Sequence, residues 1–335
     1  MGDLTTLTLD QAHALCVAAL IAADTSPENA QSVARALVNA EASGQSGHGL
    51  SRIPSYTSQS ASGKVKGRAI PTLTMLRPAV IRVDAGNGFA FPAFDLALPD
   101  LVTRAKANGL AIATIAHSHH FGVAGWHCER LAEQGCIGFV YGNAPKSLAP
   151  WGSGTPVLGT SPIAFAAPAP TAPLVIDMAT TAVTRGKILA AREIGEPIPE
   201  GWALGPDGQP TTDAALALKG TVAPMAGAKG AALALMVEVM SACLVGAALS
   251  AEASNLFDPE GPPPDLGQSI LAIDAGIVSQ GAFEGRIAEL VAIYDDLDGA
   301  RLPGTNRLQC RARAESEGLQ VRTALVDQIK GIAAS

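Results

Sequence analysis

The stretch Leu110-Ala-Ile-Ala-Thr-Ile-Ala116, followed at once by His117-Ser118-His119-His120-Phe121-Gly122 and then by Val123 to Gln134, decides the fold class of this chain. Its first seven residues are a short apolar run carrying the β-branched Ile112, Thr114 and Ile115, which predicts a strand. The polar turn ends at Gly122, and the residues beyond it have helical composition. Strand, turn and helix in this order form the unit of an α/β sheet, in which ligands gather at the carboxyl end of the strand, where the next helix offers unpaired amides and a positive dipole end. The turn is not a G-x-G-x-x-G, and no G-x-x-x-x-G-K-[ST] occurs, so an ordinary Rossmann domain or P-loop is not supported. G-x-S-x-G and H-E-x-x-H are absent as well, which lowers hydrolase readings.

Three imidazoles in four residues invite a metal. Adjacent residues at a strand end point to opposite sides, however, and no second ligand group stands at a useful spacing, so no metal is expected. A ligand site at the strand end is the favoured reading, and a histidine-rich polar turn is the bland alternative.

Outward from this core, the periodicity predicts an α/β or α+β chain. Leu9 to Ala22 reads as a helix with Thr8 and Gln11 as a capping box, and a second helix runs from Ser26 and Pro27 towards Gly44. Ala79 to Asp84, Ile137 to Tyr141, Leu174 to Asp177 and Ile270 to Asp274 read as strands, and Phe94 to Asn108 as a helix whose first turn Pro99 disturbs. The Gly- and Pro-rich stretch Ile194 to Asp213 reads as an irregular excursion. Phe283 to Leu297 and Ala312 to Ile332 read as amphipathic helices able to pack on the N-terminal pair or on another subunit. Ala231 to Leu249 is apolar enough to span a bilayer, but Glu238 near its middle and the lack of a second span favour a buried core helix.

With 335 residues, 48% hydrophobic and 16% charged, the chain has ample core and is neither disordered nor a coiled coil. A net charge of −7 argues against nucleic acid as the main partner, since phosphate binding needs a basic face. Five scattered cysteines without a C-x-x-C pair read as free thiols, and the N-terminus shows no basic n-region; a cytoplasmic protein is expected.

Two further stretches carry chemistry. In Ser46-Gly47-His48-Gly49-Leu50-Ser51-Arg52, glycines give the imidazole room, and Arg52 comes four residues later. Histidine exchanges a proton near neutral pH, and an arginine fork fits a carboxylate, which suits a substrate with a carboxylate beside C=O or C=N. A capped surface loop is the alternative. Asp177 to Lys187 runs from a strand into hydroxyls, Arg185, Gly186 and Lys187, a set that would hold a phosphate or form a solvated face.

Taken together, the stretch from Gly44 to about Gly276 resembles the NAD(P)H-dependent malate/L-lactate dehydrogenase-like oxidoreductases, which are unrelated to the Rossmann lactate dehydrogenases. The motifs are Gly-His-Gly-Leu-Ser-Arg-Ile-Pro at 47–54, Ser-His-His-Phe-Gly-Val-Ala-Gly at 118–125, Ala-Pro-Trp-Gly at 149–152, Gly-Thr-Ser-Pro-Ile-Ala-Phe at 159–165, Asp-Met-Ala at 177–179, Arg-Gly-Lys at 185–187 and Gly-Glu-Pro-Ile-Pro-Glu-Gly-Trp-Ala-Leu at 195–204.

The resemblance implies a non-Rossmann, sulfolactate dehydrogenase-like α/β fold with helical N- and C-terminal segments packed together. It implies a mainly helical domain of residues 1–75 plus 277–335, an NAD(P)H-binding and catalytic domain of residues 76–276, and a homodimer. His48 would be the proton donor; Arg52 and Thr160 would hold the substrate. NADPH, with NADH as the alternative, would lie along His120, Phe121, Gly122, Val123 and Ala124, Asp177, Met178 and Ala179, Arg185 and Gly186, Lys229, Gly304 and Arg307. Gly227-Ala228-Lys229-Gly230 and Glu260-Gly-Pro-Pro-Pro264 near Gly267-Gln268 look more like reductases of Δ1-pyrroline-2-carboxylate or Δ1-piperideine-2-carboxylate, since malate-type members more often carry His where Ala228 stands. The expected reaction is therefore reduction of a cyclic imine carboxylate to L-proline or L-pipecolate, with a malate- or lactate-type 2-oxo-acid reductase as the alternative and a nucleotide-binding protein without catalysis as the third. The chain departs from the resemblance where imine reductases often carry a serine before the histidine and an acidic relay partner: here stand Gly47 and Lys187, with Ser46 as the neighbouring hydroxyl.

Overall fold

The computed structural model describes residues 3–335. In chain order its elements begin with β1 (Leu4–Leu7), α1 (Leu9–Ala22), α2 (Pro27–Ala42), α3 (Ile53–Ala61), β2 (Thr72–Arg77), β3 (Val80–Asp84), α4 (Ala90–Asn108), β4 (Leu110–Ser118), α5 (Ala124–Ala132), β5 (Cys136–Gly142), β6 (Ile163–Ala167) and β7 (Leu174–Met178). They continue with α6 (Arg185–Glu193), β8 (Ala203–Leu204), β9 (Pro210–Thr211), α7 (Ala214–Lys219), β10 (Thr221–Val222), α8 (Ala228–Glu238), β11 (Leu266–Asp274), α9 (Ala275–Val278), α10 (Phe283–Asp295), α11 (Thr305–Glu317), β12 (Leu319–Arg322) and α12 (Thr323–Ala333).

Local chemistry sets the early boundaries. Gln11 N–H donates to Thr8 Oγ1 at 3.1 Å and Thr8 N–H to Gln11 Oε1 at 2.9 Å, closing the expected capping box. Asn29 N–H donates to Ser26 Oγ, and Pro27 opens α2. α4 starts earlier than expected and carries Pro99 in its interior. An interior proline costs about 3 kcal/mol. Burial of Phe94, Leu98 and Leu101 outweighs it, at about 1.5–3 kcal/mol each.

The main sheet has seven strands in the order β2-β3-β4-β11-β5-β6-β7. Only β3 and β4 are parallel, joined by α4 as a crossover; every other pair is antiparallel. β4 and β11 lie at its centre and are mostly buried, which matches their apolar runs. One core fills the space between this sheet, α4 and α5. A second joins α1, α2 and α3 to β12 and α12, so the two ends of the chain pack together as expected. The 194–213 excursion has a small core of its own, built around Ile188, Ile198 and Ala203 under the sheet β10-β8-β9.

Two expectations are corrected. The apolar stretch 231–249 is not one buried helix: α8 ends at Glu238, a π-turn covers Val239–Cys243, and Leu235, Met236, Val239 and Leu244 are exposed. Glu238 is buried because Ser250 N–H and Oγ both donate to its carboxylate at 2.6 Å, and among the described residues no helix is long and apolar enough to cross a membrane. Ala312 to Ile332 is not one helix either. It breaks at Gly318 (φ +79°), whose Cβ would press on Leu7 O, and β12 pairs there with β1. Of the two C-terminal helices expected to pack on the N-terminal pair or on another subunit, α10 buries no residue within the chain.

Candidate active site

Residues 44–52 form two successive 3₁₀ turns, Ser46–His48 and Leu50–Arg52, hinged at Gly49. A Cβ on Gly49 would overlap the Glu41 carboxylate, and Glu41 Oε2 accepts from Leu50 N at 2.8 Å. Glu41 thereby pins the loop to α2. The second turn runs into α3, so Arg52 and Tyr56 share a helical face one turn apart.

The strand end places the histidines apart, as alternation requires. His117, at φ +48°, turns its Nδ1 to Asp84 Oδ1 at 3.0 Å. His119 is buried, with Nε2 3.1 Å from Gln59 Oε1 and its ring edge-on to Tyr56 and Phe89. His120 lies against His48, ring centroids 5.3 Å apart and planes within 10°. His127 stacks on Phe94 and meets Phe121 O at 2.9 Å. Each imidazole of the motif thus has a different partner.

The contacts of His120 define its tautomer. Gly122 N–H, which can only donate, faces His120 Nδ1 at 3.4 Å, and Tyr56 Oη lies 2.6 Å from the same atom. Nδ1 therefore accepts, and the ring proton sits on Nε2. Burial pushes the Tyr56 hydroxyl well above its usual range, so it stays a donor. His48 Nδ1 is buried without a partner, which leaves Nε2 as its working nitrogen. Burial, with Arg52 second, lowers the His48 pKa to about 4. Burial, then Arg52, His48 and His119, holds His120 well below the ordinary histidine value. The stacked pair is uncharged at neutral pH.

Arg52 Nε donates to Gly47 O at 2.7 Å, and one face of the guanidinium lies 5.0 Å from the centroid of the Phe257 ring. Among the described residues that carbonyl is its only acceptor, so the outer nitrogens remain for a ligand. The Arg52 charge stands near enough to His48 to lower its pKa further. A model of the malate/L-lactate dehydrogenase family matches residues 7–330 of the chain. The chain belongs to that family.

Within the malate/L-lactate dehydrogenase family, the chain is 44% identical over 330 residues to the (2R)-3-sulfolactate dehydrogenase (NADP(+)) of Chromohalobacter salexigens, covering 98% of each. It is 38% identical over 336 residues to a Delta(1)-pyrroline-2-carboxylate reductase of Ancylobacter novellus, covering 99% of this chain and 98% of that one. The crystal structure of delta1-piperideine-2-carboxylate reductase from Pseudomonas syringae superposes with a TM-score of 0.93 at 35% identity, covering 98% of this chain and 99% of that one. These oxidoreductases share the non-Rossmann α/β fold expected from the motifs.

The remaining residues that the family resemblance implied fall into two groups. Asp177, Gly304 and Arg307 converge at the end of β7: Asp177 Oδ2 accepts from Gly125 N at 2.8 Å, and Gly304 (φ +92°) lies against Val175 O. Burial raises the Asp177 carboxyl, against the Gly125 hydrogen bond and the Arg307 charge. The Gly125 bond joins one amide of the first turn of α5 to the end of β7. Arg307 stands 3.1 Å from Glu129 Oε2, but the contact lacks hydrogen-bond geometry, and its three nitrogens are buried without a hydrogen-bond partner. Glu129 takes its two well-formed bonds from Arg311, both at 2.9 Å.

The second group lies outside this convergence. Arg185 donates to Leu218 O at 2.6 Å, the hydroxyls of Thr180 and Thr181 bond backbone carbonyls, and Gly186 and Lys187 are exposed on α6. Neither Lys187 nor Ser46 hydrogen-bonds His48 Nδ1, which is buried without a partner. Lys229 is exposed in the first turn of α8, and Met178 and Ala179 lie partly open at the end of β7. Phe121 is a core side chain stacked on Phe94, and Val123 and Ala124 are buried, so these present backbone rather than side chains. Gly122 (φ +70°) is required, since a Cβ would crowd Phe91. Thr160 O accepts from Thr180 N at 3.0 Å, which ties the 160 turn to the strand end.

Sequence reasoning missed Glu41, Tyr56, Gln59 and Phe257. The four-residue spacing from Arg52 was a usable signal for Tyr56; the others have none short of the fold.

Proposed function

We propose that the chain reduces a cyclic imine carboxylate, Δ1-pyrroline-2-carboxylate or Δ1-piperideine-2-carboxylate, to L-proline or L-pipecolate with NADPH. The observation that carries this reading is the uncharged His48–His120 stack beside the outward-facing guanidinium of Arg52.

The residues present suit the cofactor. Arg307, its nitrogens buried without hydrogen bonds next to Asp177 and Gly304, is a donor-rich corner in want of acceptors, as phosphate or ribose oxygens are. The holding residues would be His120 to Ala124, Asp177 to Ala179, Gly304 and Arg307, with Arg185, Gly186 and Lys229 at the outer end. NADPH, when bound, supplies a hydride.

Arg52 pairs with the substrate carboxylate and thereby orients the C=N carbon; Thr160 flanks it. His48 and His120 present uncharged rings that do not repel a protonated imine. A cyclic imine that arrives protonated needs no further acid: hydride adds to carbon, the C=N π pair becomes the nitrogen lone pair, and the amine retains its proton. A ketone would need a proton at the new alkoxide, which a histidine with a pKa near 4 is rarely protonated to give. The second reading, a 2-oxo-acid reductase, is favoured by the 44% identity to a sulfolactate dehydrogenase.

Steady-state oxidation of NADPH with Δ1-pyrroline-2-carboxylate, Δ1-piperideine-2-carboxylate, pyruvate, oxaloacetate and sulfopyruvate separates the two. The imines are expected to give the highest kcat/KM, and a preference for any 2-oxo acid overturns the reading. Comparable KM values for NADH and NADPH would count against NADPH. The exposed Leu290, Ile293 and Leu297 around α10 support a homodimer, which light scattering tests.

A further inference from the structure

Between the π-turn after α8 and β11, residues 254–260 are strapped to α3 and the turn behind it. Gln59 Nε2 donates to Leu256 O at 2.9 Å, and Ser62 Oγ donates to Pro259 O at 3.1 Å. Lys64 Nζ donates to Asn255 O at 2.6 Å, to Asp258 O at 3.0 Å and to Asp258 Oδ1 at 3.2 Å. The side chain of Lys64 is only 1% exposed. A buried ammonium persists only when its donors are all matched, and here they are matched by this one segment.

The strapped segment projects one large side chain outward. Phe257 is 61% exposed, although it follows Leu256, which is buried. Its ring covers one face of the Arg52 guanidinium, whose outer nitrogens have no acceptor in the chain. An acid that binds Arg52 edge-on therefore has phenyl surface beside it.

We infer that Phe257 is a specificity-determining residue: its ring forms an apolar wall next to Arg52 that accepts the hydrocarbon body of a small carboxylic acid and disfavours acids with a second anionic group. The inference rests on the reading above that Arg52 holds the substrate carboxylate. A ring methylene gains from leaving water against the phenyl face. A second carboxylate or a sulfonate would be desolvated against the negative face of the ring; residues 254–260 carry no cation of their own, and Lys64, which is strapped to them, is already engaged by Asp258 and two carbonyls. The carbon skeletons of pyrroline and piperideine carboxylates fit this wall; oxaloacetate and sulfopyruvate do not.

The test uses the full chain with Phe257→Leu, Phe257→Lys and, as a reference, Arg52→Lys; a side chain this exposed tolerates either change without unfolding. Two quantities are read: the ratio of kcat/KM for Δ1-pyrroline-2-carboxylate over sulfopyruvate, and the calorimetric Kd of pyrrole-2-carboxylate, an unreactive ring acid. Phe257→Lys is expected to shift the ratio towards sulfopyruvate by about tenfold or more, a difference of about 1.4 kcal/mol, mainly through KM. Phe257→Leu is expected to weaken pyrrole-2-carboxylate several-fold while the Kd of NADPH stays constant. An unchanged ratio and Kd in both Phe257 variants, with binding lost in Arg52→Lys, overturns the wall and leaves the substrate reading intact. A ratio that moves in Phe257→Lys while the parent chain prefers sulfopyruvate supports the wall and overturns the imine reading. Binding indifferent to Arg52→Lys overturns both.

Discussion

Tyr56 Oη stands 2.6 Å from His120 Nδ1, the same nitrogen that Gly122 N–H faces at 3.4 Å. Two donors on one nitrogen hold the proton on Nε2 and keep the imidazole stacked on His48. Tyr56→Phe removes the stronger donor and releases the ring. A drop of about tenfold in kcat is expected, with about 1 kcal/mol lost from stability, the scale of one buried hydrogen bond. Steady-state rates and chemical denaturation check both, and an unaltered kcat would remove Tyr56 from the site.

Arg52→Lys keeps the charge but loses the fork. A carboxylate bound edge-on is expected to show a KM raised at least tenfold, with a smaller change in kcat. An unchanged KM for every acid tested would mean that the carboxylate binds elsewhere.

His48→Ala distinguishes the chemistry. General acid assistance contributes about 10²–10⁴ in rate where a proton must be delivered. His48, with a pKa near 4, carries only a small part of that at neutral pH. The loss on a 2-oxo acid is therefore expected to be modest and to grow as pH falls towards 4, against little loss on a protonated cyclic imine, which brings its own proton. Equal losses on the two substrate classes would contradict the division of labour given to His48.

Acid should destabilise the chain early. Burial lowers His48 to about 4 and His119 and His127 to about 3, from an ordinary 6.5. The unfolded chain takes up protons that these sites refuse, so their contribution to stability is complete above pH 6.5 and is lost as pH falls from there towards 3. The melting temperature is expected to decline from near neutrality down to pH about 5, before most carboxylates titrate. A flat profile over that range would contradict the buried neutral rings.

Glu129 is 3% exposed and faces Arg311 and Arg307 together. Glu129→Ala leaves two guanidinium groups without their carboxylate and is expected to cost about 3–5 kcal/mol. Adding Arg311→Met should recover part of that loss, because one uncompensated cation goes with it. Denaturant midpoints of the single and double variants provide the measurement.

Several features were legible because they are local. Thr8 with Gln11 and Ser26 with Pro27 announce helix starts within four residues, and the β4 run ends in its polar turn without help from elsewhere. β12 was unreadable because its pairing partner, β1, lies at the opposite end of the chain, and four residues with alternate burial resemble a helix interior in composition. Pro99 pointed to a late helix start only because the burial that overrides it belongs to the sheet beneath.

The amino-acid order alone specified the strand–turn–helix at 110–134, the absence of a phosphate-binding glycine fingerprint, and the placing of His48 and Arg52 four residues apart in one glycine-flanked loop. Each depends on backbone preferences or spacings of a few residues. Tertiary packing alone decided that His120 stacks on His48, that Asp177 accepts from Gly125 N at the start of α5, and that Phe257 covers Arg52. Those contacts join segments remote in the chain, and their energies arise from burial and charge compensation, which exist only once the sheet and the terminal helices have closed around them.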